Sequence, residues 1–241
     1  MDCVILNEIP FVLERESLLA ALRIPPNAAY ADELRPLIEE ARRIGRPKAL
    51  YGIAPAAPHD EGSVVVDGAV FRSRVLRVNL DGLDRAFPFL ATCGSELEGW
   101  SASIDGMLRR YCADMIKELA LEAATLALQS HLVEAHGLHS PGMMNPGSLP
   151  DWPAEEQKPL FALFGAASDA IGVRLTDTYI MQPVKSVSGL LFASAEGFES
   201  CRLCQMRQCP RRRVPYDPTL YESKYGGGRG WGAREERDGW T

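Results

Sequence analysis

Three cysteines in the last third of the chain have the spacing of metal ligands. Cys201, Cys204 and Cys209 form a C-x2-C-x4-C pattern, which places three thiols on one short segment. In a reducing compartment, such a pattern more often holds a metal than a disulfide. Three thiolates can supply three ligands of zinc or three corners of an iron–sulfur cluster. We therefore predict a metal site here, with the identity of the metal left open.

The fourth ligand of this site must come from elsewhere in the chain. Cys93 follows a predicted buried strand and is the first candidate. His136 and His139 are the alternatives, although two histidines near the end of a helix are more often simply solvated.

A stiff loop over residues 145–153, with the sequence N-P-G-S-L-P-D-W-P, is a candidate ligand-binding segment. Long stiff loops often shape a functional site. Asn145, Pro146, Gly147 and Ser148 can offer backbone to a ligand, and Trp152 can offer a flat ring. The alternative is a rigid connector between two helices, with the indole of Trp152 buried in the core.

A second candidate segment begins a predicted strand with the sequence S-V-S-G. Ser186, Ser188 and Gly189 combine small hydroxyl side chains with a glycine, so they can donate to a ligand or allow two backbones to approach closely. The alternative is an ordinary start of a strand.

The composition is that of a globular protein and argues against two classes of partner. The 241 residues carry a formal net charge of −6, whereas nucleic-acid binding needs a basic face. No apolar run approaches the ~20 residues that span a bilayer. The first residues carry acid where a signal peptide carries base. We expect a cytoplasmic protein that binds neither nucleic acid nor membrane.

The hydrophobic periodicity predicts the elements that position these residues. Helices are predicted over residues 12–22, 32–44, 95–108, 109–135 and 155–171. Strands are predicted over residues 49–54, 64–66, 69–71, 74–80, 87–92, 179–181 and 187–193, with a hairpin turn at Asp67-Gly68. No G-x-G-x-x-G follows a strand, which argues against a Rossmann domain. The order of elements predicts an α+β fold around a twisted, mainly antiparallel sheet flanked by long helices.

We divide the chain into three parts on this basis. Residues 1–198 form a single α+β domain, residues 199–220 form a Cys-rich metal-binding extension, and residues 221–241 form a flexible tail rich in glycine and charge.

Four short blocks match the motifs of one known family. They are Pro146-Gly147, E-E-Q at residues 155–157, I-G-V-R-L-T at residues 171–176, and M-Q-P-V-K-S-V-S-G-L-L-F at residues 181–192. Together they resemble the activation (reactivation) domain of cobalamin-dependent methionine synthase, over about residues 143–198. The resemblance implies a single α+β domain that binds S-adenosylmethionine and remethylates oxidised cobalamin. Because the chain lacks a cobalamin-binding module, the corrinoid is expected to arrive on a partner protein.

The chain departs from the family in its nucleotide-binding motif, R-x-x-x-G-Y. Aligned on Gly147, Met143 stands where the Arg belongs and Ser148 where the Tyr belongs. Aligned on Gly142, Leu138 and Met143 stand there instead. Either way, the guanidinium that would pair with a carboxylate and the ring that would pack on the ligand are missing. We therefore expect weak binding of S-adenosylmethionine.

Two functions follow from the resemblance. The first is a reactivase-like protein that helps to reduce and remethylate the corrinoid of a methyltransferase partner, with an iron–sulfur cluster passing on an electron from a redox partner. The second is a non-catalytic interaction subunit, in which a structural zinc stabilises the C-terminal segment. Reduction of cobalt requires an electron at low potential, which favours iron–sulfur over zinc in the first case.

Overall fold

The strand β6 (Arg85–Thr92) is the centre of the molecule. The computed structural model describes residues 1–194, 197–206, 208–209 and 212–226. Within them, β6 is buried at every position except Arg85. Its near-continuous apolar sequence is typical of a strand that is covered on both faces. It pairs antiparallel with β2 (Lys48–Gly52) and β3 (Ala54–Pro58), and with β10 (Ser186–Phe192) along its other edge.

The described strands form one eight-stranded antiparallel sheet and one separate pair. The remaining strands are β1 (Cys3–Leu6), β4 (Ser63–Val66), β5 (Ala69–Arg72), β7 (Gly142–Met144), β8 (Arg174–Leu175) and β9 (Met181–Gln182). The α-helices are α1 (Arg15–Leu22), α2 (Arg35–Ile44), α3 (Arg74–Asn79), α4 (Ser95–Ala102), α5 (Met107–His136), α6 (Gln157–Phe164) and α7 (Ala167–Ala170). These elements confirm the predicted α+β class with an antiparallel sheet.

The two faces of the sheet are covered by different parts of the chain. Leu90 and Leu190 belong to a first core cluster together with residues of α3 and α6. Phe89 and Leu191, their neighbours in sequence, belong to another cluster together with Leu128 of α5. A further cluster joins α1, α2, α4 and the first half of α5. The alternation of side chains along each strand thus separates two apolar layers.

Two local predictions are confirmed. Asp67 and Gly68 both have positive φ, at 47° and 82°, as the type I′ turn between β4 and β5 requires. The helix α5 is continuous over 30 residues and ends at Gly137, which adopts the left-handed conformation. None of the helices in the described part of the chain combines the length and the apolarity that crossing a bilayer requires.

The strand predicted over residues 74–80 is wrong, because this segment forms α3. The Oγ of Ser73 accepts a hydrogen bond from the backbone N–H of Leu76, at 2.9 Å. The carboxylate of Asp151 accepts from the N–H groups of Arg74 and Val75, at 3.2 and 3.0 Å. These contacts satisfy the free donors of a helix start. The deciding group is remote in sequence, so the local pattern of residues 74–80 could not reveal it.

The C-terminal segment packs against the first core cluster up to residue 226. Leu203 and Tyr225 are both buried in that cluster. Tyr225 donates a hydrogen bond to Oδ1 of Asn79, and its carbonyl accepts one from Arg74. The predicted boundaries at residues 199 and 221 therefore lie inside packed structure. Residues 227–241 of the predicted tail lie outside the described residues.

Candidate functional site

The loop over residues 145–153 folds back on itself and is attached to β10. The N–H of Gly147 donates to the carbonyl of Trp152 at 2.7 Å, and the Oγ of Ser148 donates to the carbonyl of Asn145 at 2.6 Å. The side-chain amide of Asn145 donates to the carbonyl of Ser188 at 2.8 Å. Pro146 is buried, whereas Gly147 and Ser148 are exposed. Of these four residues, only the exposed pair remains available to a ligand.

Trp152 is a core residue in this structure and does not offer a binding surface. Its side chain is 0% exposed, and its ring meets that of Phe71 edge-on, with 5.9 Å between the centroids. The loop reverses direction between Gly147 and Trp152, which turns the indole inward. The alternative that the sequence left open, a connector with a buried indole, is the arrangement that the structure shows.

Asp151, beside the indole, has a role that sequence analysis missed. Besides accepting from the two N–H groups at the start of α3, its carboxylate accepts a hydrogen bond from the hydroxyl of Ser73. The loop thus joins β10, through Asn145, to α3, through Asp151. The sequence offers one signal for this, an acid in a stiff loop, but it does not indicate the helix that the acid caps.

The second predicted segment is also used for packing. A Cβ on Gly189 would lie 2.2 Å from the carbonyl oxygen of Met144, so glycine is what lets β7 approach β10. Ser188 is buried and its hydroxyl donates to Oε1 of Gln157, at 3.5 Å. The hydroxyl of Ser186 donates to Oγ1 of Thr92 at 2.9 Å. These contacts favour the interpretation of this segment as an ordinary start of a strand over its interpretation as a ligand-binding segment.

A cavity of about 520 Å³ lies between α4 and two of the four blocks that resemble the family, those at residues 171–176 and 181–192. Its wall combines residues of α4 with residues of α7, β8 and the turn between them, and with the end of β9 and the two residues that follow it. Gln182, the last residue of β9, and Pro183 are joined by a cis peptide bond. The motifs I-G-V-R-L-T and M-Q-P-V therefore do meet at a cavity. The residues that face it are not those singled out from the sequence.

The cavity carries charges of both signs. Asp169 and Arg174 line it and lie 3.8 Å apart, between a carboxylate oxygen and Nε. Glu98 lines it too and is held 2.9 Å from Nζ of Lys117, a largely buried cation. Carboxylates and a guanidinium in one cavity can bind amide, ammonium and carboxylate groups of a ligand.

A second lysine fixes the cavity to α5. Nζ of Lys185 lies 2.9 Å from Asp114 and 3.0 Å from Glu118. Burial lowers the pKa of Lys185, but hydrogen bonds to the two carboxylates outweigh burial, and the net shift is upward. Because Val184 precedes this anchor, the cavity wall at Pro183 and Val184 is held in place next to α5.

The cysteines are not assembled as a metal site in this structure. Cys93 is 0% exposed within the cluster of α1, α2 and α4, whereas Cys204 packs against the first core cluster. Burial, followed by the charge of Glu98, raises the pKa of Cys93 to about 12, which disfavours its thiolate. Among the described residues, no three His, Cys, Asp or Glu side chains are grouped to hold a metal ion. The donor set does not fit the expected metal as it is arranged here.

One guanidinium organises the segment that carries the cysteines. Nη1 of Arg212 donates to the carbonyl of Cys201 at 2.8 Å, and Nη2 donates to the carbonyl of Cys204 at 3.0 Å. The same side chain also donates to the carbonyls of Met206 and Val214. A single planar cation thus satisfies four backbone acceptors.

Replacing Trp152 should lower the stability of the fold. We expect Trp152→Ala to lower the free energy of unfolding by about 3–5 kcal/mol, because it leaves a large cavity in the core. Trp152→Phe should cost less, since it keeps most of the apolar contact and removes an indole N–H that has no hydrogen-bond partner in the described part of the chain. Urea unfolding measures both, with the exposed Ser148→Ala as control. Unchanged stability in Trp152→Ala would contradict the buried position.

Replacing Arg212 should loosen the cysteine segment. We expect Arg212→Ala to lower the free energy of unfolding by about 1.5–3 kcal/mol, because hydrogen bonds from a charged donor are lost, and to speed alkylation of Cys204. Arg213→Ala is the matched control, since Arg213 makes an exposed ion pair with Glu199, which contributes at most about 1 kcal/mol. If Arg212→Ala changes neither the free energy of unfolding nor the alkylation rate of Cys204, but a chelator speeds this alkylation, a metal holds the segment instead.

Comparisons with known proteins agree with the motifs. Residues 145–206 match the family model described as vitamin B12 dependent methionine synthase, activation domain. The chain is also similar to a solved structure, "Crystal Structure of the MetH Reactivation Domain bound to AdoHcy". That match has a TM-score of 0.55 and 12% sequence identity, and it covers 83% of this chain and 80% of the other. No curated protein sequence matches the chain.

These two findings confirm the resemblance drawn from the four blocks. The family model covers the loop, α6 and α7, β8 to β10 and the first two cysteines of the pattern. The structural match adds the fold over most of the chain. The chain is thus similar to the activation domain of vitamin B12 dependent methionine synthase by sequence over residues 145–206, and it is similar in fold to the solved reactivation domain over most of its length.

Proposed function

We propose that this protein assists the reductive remethylation of a corrinoid carried by a methyltransferase partner. The observation that carries the proposal is the match of residues 145–206 to the activation-domain family, because this segment supplies two walls of the 520 Å³ cavity. In this proposal the corrinoid is the substrate and arrives on the partner. The methyl donor and the redox partner that supplies the electron bind separately.

The surface around the cavity suits such a substrate. Ile180 and Val184 are 53% and 58% exposed, and Val184 lies on the cavity wall itself. A corrin ring has a broad apolar face and a rim of carboxamide side chains. The exposed aliphatic groups can pack on the face, while Glu98, Asp169 and Gln182 can accept or donate hydrogen bonds at the rim. We place the docking surface here, since Trp152 and Gly189 of the two segments predicted to bind a ligand are packed inside.

Docking should depend on the exposed aliphatic rim of the cavity. We expect Val184→Asp to weaken binding to a cobalamin-loaded methionine synthase module of the same organism by at least tenfold, because it places a charge against an apolar face. Calorimetry measures the affinity. Val12→Asp is the matched control, since Val12 is 73% exposed on another part of the surface. Equal affinities for the two variants, or no binding by the parent protein, would refute docking at the cavity.

The nucleotide site of the family is altered in this chain. With the motif aligned on Gly147, Met143 stands at the position of the Arg; it lies in β7 and packs partly against the core cluster that contains Leu128 of α5. Ser148, at the position of the Tyr, is exposed and donates to its own loop. Neither side chain can pair with a carboxylate or stack on a nucleoside. The geometry supports the expectation that S-adenosylmethionine binds weakly here.

Calorimetry with S-adenosylmethionine tests this expectation. Losing the charge-assisted pair alone costs about 1.5–3 kcal/mol, or about ten- to a hundredfold in affinity. We therefore expect no submicromolar binding by the parent chain. The double substitution Met143→Arg and Ser148→Tyr should tighten binding by about the same factor. A submicromolar dissociation constant for the parent chain would show that it binds the nucleotide by other residues.

The altered nucleotide site also favours a second function. In that alternative, the protein is a non-catalytic interaction subunit of a corrinoid methyltransferase system, with a structural zinc at Cys201, Cys204 and Cys209. Both functions predict the docking described above. They differ in whether the protein acts on the cobalt of its partner. Only a reactivase changes the oxidation or methylation state of the partner's cobalt.

An iron–sulfur cluster or a zinc ion at the three cysteines stays a prediction. Binding it would require the segment to rearrange around Arg212, and no step of the proposed function depends on it. Elemental analysis of anaerobically purified protein tests it directly. Stoichiometric iron or zinc that is lost when Cys201, Cys204 and Cys209 are replaced by Ser would show that the segment rearranges, and the absence of both metals would end the idea.

A further inference from the structure

Two histidines and a tyrosine converge at the C-terminal end of α5. Tyr51 lies on β2 and is 1% exposed, while His131 and His136 lie on the last turns of α5 and are half-buried. The Nε2 atoms of His131 and His136 are 3.1 and 2.8 Å from the hydroxyl oxygen of the same tyrosine. Neither the family motifs nor the proposed function uses these three side chains.

We propose that Tyr51, His131 and His136 form a binding site for a divalent transition-metal ion. An imidazole nitrogen binds such an ion at about 2.0–2.1 Å, which sets neighbouring ligand atoms about 2.9–3.4 Å apart in octahedral or tetrahedral geometry. The two separations agree with these values to within a few tenths of an ångström. The three atoms can therefore hold an ion after only small movements of the side chains.

The packing around the three residues holds them in place for an ion. The ring of His136 lies 5.5 Å from that of Phe87, and the ring of His131 lies 5.5 Å from that of Tyr51.

An open cavity next to His131 completes the site. It has a volume of about 350 Å³ and is lined by residues 5–10 together with Ala127 and His131. Three protein ligands and an open side are the arrangement of metal sites that keep a position for water or another ligand. Glu8 also lines this cavity, and its carboxylate favours a cation there.

The competing explanation is a hydrogen-bonded group without a metal. The hydroxyl of Tyr51 can donate to one histidine and accept from the other, which satisfies all three side chains. A metal titration separates the two cases. The probe is Cu²⁺ on the tag-free, full-length chain with Cys201, Cys204 and Cys209 replaced by Ser, so that none of these three thiols competes for the ion. Copper is chosen because it binds nitrogen ligands more strongly than the other divalent ions of its row.

We expect one Cu²⁺ per chain, with a dissociation constant of about 1 µM or tighter and electron paramagnetic resonance splittings from two imidazole nitrogens. His131→Ala and His136→Ala should each weaken binding by more than the ~10–100-fold that the loss of a supporting group costs. Tyr51→Phe should weaken it less. His139→Ala is the matched control, since His139 is exposed and lies just beyond His136; its binding should be unchanged.

Three results would overturn the site. One is binding weaker than about 100 µM, another is a spectrum without two nitrogen ligands, and the third is equal losses in His139→Ala and His136→Ala. The spectrum of the chain with intact histidines needs no histidine variant, so a variant that fails to fold cannot hide the answer. Thermal unfolding without metal shows which variants are folded.

Discussion

The pairing of β6 with β10 is the contact on which the rest of the structure depends. It runs from Ser186 opposite Thr92 to Leu191 opposite Phe87, and both strands are buried over most of this length. Through it, the last third of the chain becomes a continuation of the sheet built by the first half. Because the side chains of each strand alternate between two covered faces, a slip of one residue would exchange the two apolar layers. The register is therefore strongly determined.

That pairing explains how the family-like blocks are used. β10 holds the loop at residues 145–153 through Asn145, and the loop in turn caps α3 through Asp151. On the other side, Lys185 fixes the cavity wall to α5 through two carboxylates. The prolines and glycines of these blocks thus shape backbone and wall, while the charged groups that face the cavity come from α4, α7 and β8. The proposed docking surface depends on this pairing and on both halves of the chain.

Sequence analysis predicted what local patterns and family motifs determine. The hairpin at Asp67-Gly68, the long helix α5 and the antiparallel α+β class follow from turn chemistry, periodicity and the order of the elements. It did not predict α3, because the cap on that helix comes from Asp151, far along the chain. It left the position of Trp152 open, since the same loop sequence suits an exposed or a buried indole. The spacing of the cysteines gave no sign of Arg212, whose four carbonyl contacts organise the segment. In each case, a contact between distant residues decided the outcome.

The most direct test of the proposed function is the cobalt state of a partner's corrinoid. A cob(II)alamin-loaded methionine synthase module without its own activation domain, from the same organism, is incubated anaerobically with a low-potential reductant and S-adenosylmethionine. The visible spectrum then follows the loss of cob(II)alamin with and without this protein. Our account predicts faster conversion to methylcobalamin when the protein is present, and a smaller acceleration by Val184→Asp. Identical rates with and without the protein, under conditions where the two bind each other, would contradict the reactivase function and leave the interaction subunit.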